Sequence, residues 1–443
     1  MKLVRIVTLV AVALFASPPL AEAQLPPRQL ARTVADAAKR EPELRAFYQA
    51  RNYRPLWIEP DRISPAAGEL AALVATAQYD GLSRKALKAD RLATLLRRGS
   101  RGHADDLAKL ELALTRTFVG YVQGTRTRRD GAGMLYQNSL LAPVVPSANA
   151  ALAAAAAAPS LERYVGTMAW MHPFYAELRR GIEALDHDPE AMRLVRLNLE
   201  RARALPANPA PRYVLIDAAG ARLYMYQDGR VVDTMKVVVG KPEQPTPMIA
   251  GMLGAAVLNP YWNVPPDLVR ERIAFNVGKQ GLGYLKAGGY QALSDYTDRP
   301  RVLNAARIDW QAVAAGRKAV RVRQLPGKAN FMGKVKFTFP NDLGIYLHDT
   351  PDKALMLDDV RQASSGCVRL EDAARLGRWL FGRELAPKPR AAEQVVPLDQ
   401  PVPVYITYLT AAIEDGRIVF RHDTYQRDPA QLAALDGAGR AAR

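Results

Sequence analysis

The sequence contains one cysteine in 443 residues, Cys367, set in Ser364-Ser365-Gly366-Cys367-Val368-Arg369-Leu370. A thiol attacks as its thiolate, and a free cysteine with a pKa of about 8.5 needs help to ionise at neutral pH. A neighbouring imidazole or a helix N-terminus supplies that help. Five histidines are available. His103, His172 and His187 fall in a helix-patterned half, and His422 lies near the C-terminus. His348 closes the strand-like stretch Ile345-Tyr346-Leu347-His348, nineteen residues before Cys367. That interval suits one strand end, a loop and a nucleophile turn opening at the same end of a sheet. Residues 370–381 read as an amphipathic helix, with Leu370, Ala373, Leu376 and Leu380 on one stripe and Glu371 and Asp372 in its first turn. The sequence thus predicts Cys367 just ahead of a helix N-terminus, with Gly366 allowing a turn whose N–H groups face a developing oxyanion. Taken singly, Cys367 reads equally as a small buried hydrophobe and His348 as a satisfied, partly buried histidine. Taken together they point to nucleophilic catalysis.

The elements around them divide the chain. Residues 24–205 read as helical: 65–78 and 105–124 repeat apolar residues at three- and four-residue intervals, and 189–205 forms a helix with proline at its first turn. The alanine-rich stretch 149–159 reads either as a helix or as a loose connector. Pro206-Ala207-Asn208-Pro209-Ala210-Pro211 breaks the pattern. Beyond it, 212–217, 221–227, 230–240, 333–340, 343–349 and 402–409 read as strands, with Asp228-Gly229 as a hairpin signal. The strand pattern lapses over 260–332, a basic insertion long enough to be a lid or capping subdomain. The expectation is an α+β protein: an all-α N-terminal domain (24–205), a mainly antiparallel β domain (206–426) carrying the insertion, and a tail at 427–443.

Composition bounds the function. Hydrophobic content of 49% and charged content of 24% belong to a globular protein. Residues 1–23 read as a secretory signal, with Lys2 and Arg5 before the apolar run 6–16, and Ala21 and Ala23 ahead of cleavage at Gln24. An uncleaved N-terminal anchor is the alternative. No other segment has the roughly 20 apolar residues of a transmembrane helix. One cysteine allows no internal disulfide, and no CxxC or HExxH pattern suggests a metal; no cofactor is expected. The net charge of +17 favours an anionic surface as partner, either an acidic wall polymer or a membrane face, unless the arginines are merely solvated helix faces. Nucleic acid is a poor candidate, because no recognised binding motif occurs.

The stretches around 345–351 and 364–370 resemble the H-D/G-T … S-x-G-C-[IV]-R signature of L,D-transpeptidase (YkuD) catalytic domains, and the resemblance extends over about 212–428 to the larger YcbB-type branch. It implies a periplasmic peptidoglycan enzyme that acts on stem peptides, joins them 3→3 through a cysteinyl thioester, releases D-alanine and is acylated by carbapenems; other wall synthases are possible partners. On this chain it implies Cys367 as nucleophile, His348 as general base and acid, Gly366 as an oxyanion N–H, and Tyr346 assisting the oxyanion or substrate. Arg369 and Ser365 would meet substrate, as would Trp262 and Asn263 of the insertion. A structural role for Arg369 and ordinary packing for Trp262 remain open. Water in place of the acceptor amine would make the same site an L,D-carboxypeptidase or endopeptidase. A non-catalytic wall-binding scaffold would need neither Cys367 nor His348. Relatives of that branch often carry a small peptidoglycan-binding module, and the sequence leaves no room for one.

Overall fold

The computed structural model describes residues 27–60, 62–128, 133–185, 188–388 and 391–441. The expected export signal and His187 lie outside them. The N-terminal half is helical from Pro27–Ala38 to Pro189–Ala202, packed around the long helix Ala104–Arg126. Glu111, buried on that helix, accepts hydrogen bonds from Tyr48 Oη (2.8 Å) and from the backbone N–H groups of Leu56 (2.6 Å) and Trp57 (2.9 Å). One carboxylate therefore holds the 54–58 segment against the core. The alanine-rich stretch is a helix, Ala148–Ala157, capped by Ser147 and burying Ala151, Leu152 and Ala155.

The C-terminal half forms a closed, mixed sheet. Pairing runs through Ile249–Leu258, Gln394–Thr407, Arg212–Asp217, Arg222–Gln227, Arg230–Gly240, Val368–Leu370, Leu347–His348 and Val335–Thr338, and the last strand pairs back onto the first. Closure removes the free edges. Around this ring only Gln394–Thr407 with Arg212–Asp217 and Leu347–His348 with Val368–Leu370 pair in parallel, so the sheet is mainly antiparallel as expected. The Asp228-Gly229 turn has positive φ at both residues (50° and 75°), as a tight hairpin requires.

Two sequence expectations need correction. Residues 370–381 are not one helix: Val368–Leu370 is a strand, Asp372 is the N-cap, and the helix is Ala373–Phe381. Leu370 does join the stripe of Ala373, Leu376 and Leu380 in the barrel core, and that shared burial is why a strand end read as helix. Cys367 consequently enters a strand, and Glu371 bonds the Lys236 N–H (3.0 Å) rather than a helix turn. Ile249–Leu258 is a long barrel strand that its glycines and alanines concealed.

Residues 260–332 build a cap with its own core. It has a three-stranded sheet (Trp262–Val264, Tyr290–Leu293, Arg321–Gln324) and a helical run over 266–280 whose middle turn, Val269–Ala274, is a π-helix.

Contacts cross between the halves in both directions. Leu135–Tyr136 extends the sheet beside Ile249–Leu258, while Ala411, Ile413 and Ile418 of the hairpin 411–420 pack on the helical core. Residues 427–443, read as a tail, include the helix Asp428–Ala441 lying against Pro189–Ala202. There Asp428 pairs with the fully buried Arg201 at 2.7 Å, and Arg201 also bonds Thr410 and Gln431. Asp428→Ala leaves a buried guanidinium without its carboxylate, a change that costs about 3 kcal/mol. Urea unfolding should report that loss, and a change below roughly 0.5 kcal/mol would show the contact to be unimportant.

Candidate active site

The sheet register assembles the site. In the parallel pair, His348 lies opposite Arg369 and Leu347 opposite Val368; on the other side His348 lies opposite Lys336 and Leu347 opposite Phe337. Leu347, Val368 and Phe337 point into the barrel core. Alternation therefore turns Lys336, His348 and Arg369 outward, toward the cap, as one row. Tyr346 shares their face and packs against the cap core. Cys367 precedes the arginine strand by one residue, so its thiol meets the start of the histidine strand. Sγ donates to the Gly344 carbonyl at 3.5 Å, and the Tyr346 backbone N–H is directed at the sulfur.

A second loop holds the nucleophile turn. Thr246, fully buried, accepts from the Gly240 N–H (2.8 Å) and donates to the Gly366 carbonyl (2.8 Å). The Lys241 N–H bonds the Ser364 carbonyl (2.9 Å), and Ser364 Oγ bonds the Cys367 carbonyl (2.5 Å). Gly366 has φ +100°, a conformation that favours glycine, and a Cβ there would stand a tight 3.3 Å from Ile345 Cδ1.

Residues 211–404 match the L,D-transpeptidase catalytic domain, YkuD, and residues 42–182 match a Scaffold domain. Residues 211–404 are an L,D-transpeptidase catalytic domain. Over 401 residues the chain is 26% identical to a Haemophilus influenzae protein named "Putative L,D-transpeptidase", covering 88% of this chain and 78% of that one. Among solved structures, an L,D-transpeptidase from Mycobacterium smegmatis is 13% identical over 45% of this chain and 59% of its own, with a TM-score of 0.23. An Enterococcus faecium L,D-transpeptidase mutant is 13% identical over 46% and 52%, with a TM-score of 0.21. The chain spans just over half the length of those structures.

Within the transpeptidase domain, the electrostatics favour a neutral resting pair. His348 is buried, and its Nδ1 lies 2.6 Å from the Asp349 carbonyl. A carbonyl only accepts, so Nδ1 carries the hydrogen and Nε2 keeps the basic lone pair. Burial first, and the nearby Arg369 and Lys336 charges with it, bring the imidazole down to about 4 against the opposing Asp349 bond. Burial pushes the Cys367 thiol up, against the opposing pull of the Tyr346 N–H and Arg369. At pH 7 the pair is thus thiol and imidazole, with the proton transferred only as attack proceeds.

The other expected residues are distributed around this centre. Ser365 is exposed, whereas its neighbour Ser364 does the bracing. Arg369 is half-buried, and its Nε has no partner. Trp262 is buried in the cap core against Phe331 (4.9 Å between rings), and Asn263 is exposed and bonded to Arg321 (3.1 Å). Both have partners inside the cap. Thr246, Ser364 and the Tyr346 N–H were missed by sequence reasoning, although Pro-Thr-Pro at 245–247 was a visible signal of a rigid turn. A cleft of about 950 Å³ is lined by Asp349, Glu371 and Asp372 on one sign and Lys334, Lys353 and Arg378 on the other; it includes the loop that follows His348 but neither His348 nor Cys367.

A resting thiol makes a testable statement. Alkylation of Cys367 by iodoacetamide should accelerate about tenfold per pH unit between pH 6 and 8, following the thiolate fraction. A rate already flat from pH 5 upward would reveal a preformed thiolate–imidazolium pair and contradict the assignment of charges.

Proposed function

We propose that the protein is an exported, periplasmic peptidoglycan L,D-transpeptidase that forms 3→3 cross-links. The reading is carried by one observation: a lone thiol one residue before the strand that pairs with the strand of a buried imidazole, whose Nε2 keeps its lone pair, within the residues that match the L,D-transpeptidase catalytic domain. His348 Nε2 takes the thiol proton as Sγ attacks the carbonyl of the L-centre of the third stem residue. The Gly366–Cys367 turn, braced by Thr246 and Ser364, offers N–H groups to the developing oxyanion. The imidazolium then returns the proton to the departing D-alanine nitrogen, leaving a thioester. The side-chain amine of a second stem attacks the thioester, His348 accepts its proton, and the thiol is regenerated with a new amide bond.

Water at the second step would give an L,D-carboxypeptidase. The cleft that starts at Asp349, the residue after His348, favours an amine acceptor, because Asp349, Glu371 and Asp372 offer acidic groups for an ammonium next to basic groups for its carboxylate. Wall attraction rests on the net charge of +17 together with the helical domain and the cap. Among the described residues no helix is long and apolar enough to cross a membrane.

The test is product analysis. Mature protein given disaccharide-tetrapeptide should yield 3→3 dimers and free D-alanine, and folded Cys367→Ala should yield neither. Monomeric tripeptide as sole product would support hydrolysis instead, and full activity of Cys367→Ala would end the thiol mechanism.

A further inference from the structure

We infer that Tyr425, which lies beyond the residues matched to the catalytic domain, is a positioning residue for the Cys367 turn. The inference rests on the transpeptidase reading and adds to it a residue that acts through a neighbouring loop. That loop, 240–246, braces the nucleophile turn on both sides of Ser365. The Lys241 N–H bonds the Ser364 carbonyl (2.9 Å), and Thr246 Oγ1 donates to the Gly366 carbonyl (2.8 Å). The two ends of the loop meet at the Tyr425 hydroxyl. It donates to the Gly240 carbonyl (2.8 Å) and accepts from the Thr246 N–H (3.3 Å). Thr246 Oγ1 joins the same two ends by accepting from the Gly240 N–H (2.8 Å). The closure is tight: a Cβ at Gly240 would stand 2.6 Å from the Thr246 nitrogen. One phenol hydroxyl thus sets the spacing between the two contacts that hold the turn.

Tyr425 is itself held in place. Its ring stacks on Tyr408, with 4.9 Å between centroids and 16° between planes, and Arg427 lies over both rings at 5.0 and 4.9 Å. Arg427 also donates to the Thr246 carbonyl (3.2 Å), a further bond to the loop from the same segment. Asp423 fixes the segment by accepting from Tyr408 Oη (2.6 Å) and from the N–H groups of Arg427 (3.1 Å) and Asp428 (2.7 Å). Asp428 then ties it to Arg201 of the helical half. Packing accounts for the ring but not for the hydroxyl. A phenylalanine would keep the stacking and leave the Gly240 carbonyl and the Thr246 N–H without this partner. The hydroxyl therefore contributes order to the loop and, through the loop, the placement of the Gly366 and Cys367 N–H groups and of the sulfur. A misplacement of about 1 Å at a reacting centre can cost roughly a hundredfold in rate.

Tyr425→Phe should lower kcat for cross-linking about tenfold and leave KM unchanged, because placement is lost and substrate contacts are not. Thr246→Val removes the hydroxyl that bonds Gly366 and should cost at least as much. In that background Tyr425→Phe should add less than about twofold, since both changes act through one loop. Thr246→Ser keeps the hydroxyl, and there the loss on Tyr425→Phe should return to about tenfold. A loss carried by KM, full additivity with Thr246→Val, or an unchanged kcat would overturn the assignment. A second measurement does not depend on transpeptidation. A loosened turn admits water to the sulfur, and water favours the thiolate. Tyr425→Phe should therefore speed alkylation of Cys367 by iodoacetamide at pH 7 about threefold, although it slows cross-linking. An unchanged alkylation rate would refute the positioning role even if wild type cross-links stem peptides. A faster one would support it even if the cross-linking reading failed.

Discussion

The site depends on one parallel strand pairing. Leu347–His348 lies beside Val368–Leu370 in a register that puts His348 opposite Arg369. That register sends Leu347 and Val368 into the core and leaves the imidazole, the guanidinium and the thiol on the other face. A one-residue slip would bury the charged side chains and expose the apolar ones, so the core that stabilises the barrel also fixes the geometry of the site. Closure of the sheet reinforces this, because the histidine strand is paired on both sides and has no free edge. The short length of both strands is tolerable only inside such a ring.

Burial at this position has an electrostatic consequence. A buried imidazole among Arg369 and Lys336 resists protonation, and a half-buried thiol resists ionisation. The resting site is therefore uncharged at its two reacting atoms and positive around them. Such a site keeps the thiol from casual reaction and favours charge that develops on a substrate oxygen. The cap core packs against Tyr346, and Val269, Ile273 and Ala274 of the π-turn belong to that core.

The candidate pair was singled out by residue type together with spacing and the resemblance to a known signature, because one cysteine and few histidines left little choice. The half-helical, half-sheet division and the capping insertion were legible too, from the change of periodicity at the proline-rich linker. What failed did so for identifiable reasons. Leu370, Ala373, Leu376 and Leu380 share a buried face across a strand end, a cap residue and a helix, and that pattern imitates one continuous helix. The glycine- and alanine-rich strand 249–258 carries little β propensity and is held by its neighbours on both sides. Thr246 lies 121 residues before the cysteine it helps to position, and no local pattern relates the two. Parallel pairing between strands distant in sequence is a property of the closed sheet, and single-sequence periodicity does not contain it.

The central claim is that Cys367 carries the acyl group between donor and acceptor. Intact-mass spectrometry of the protein mixed with a tetrapeptide donor whose own side-chain amine is blocked, so that no acceptor is present, tests this directly. The account predicts a mass gain equal to the donor minus D-alanine, located on Cys367, discharged by hydroxylamine and absent from Cys367→Ala. Release of D-alanine without any adduct on wild type, or an adduct that persists in Cys367→Ala, would contradict it.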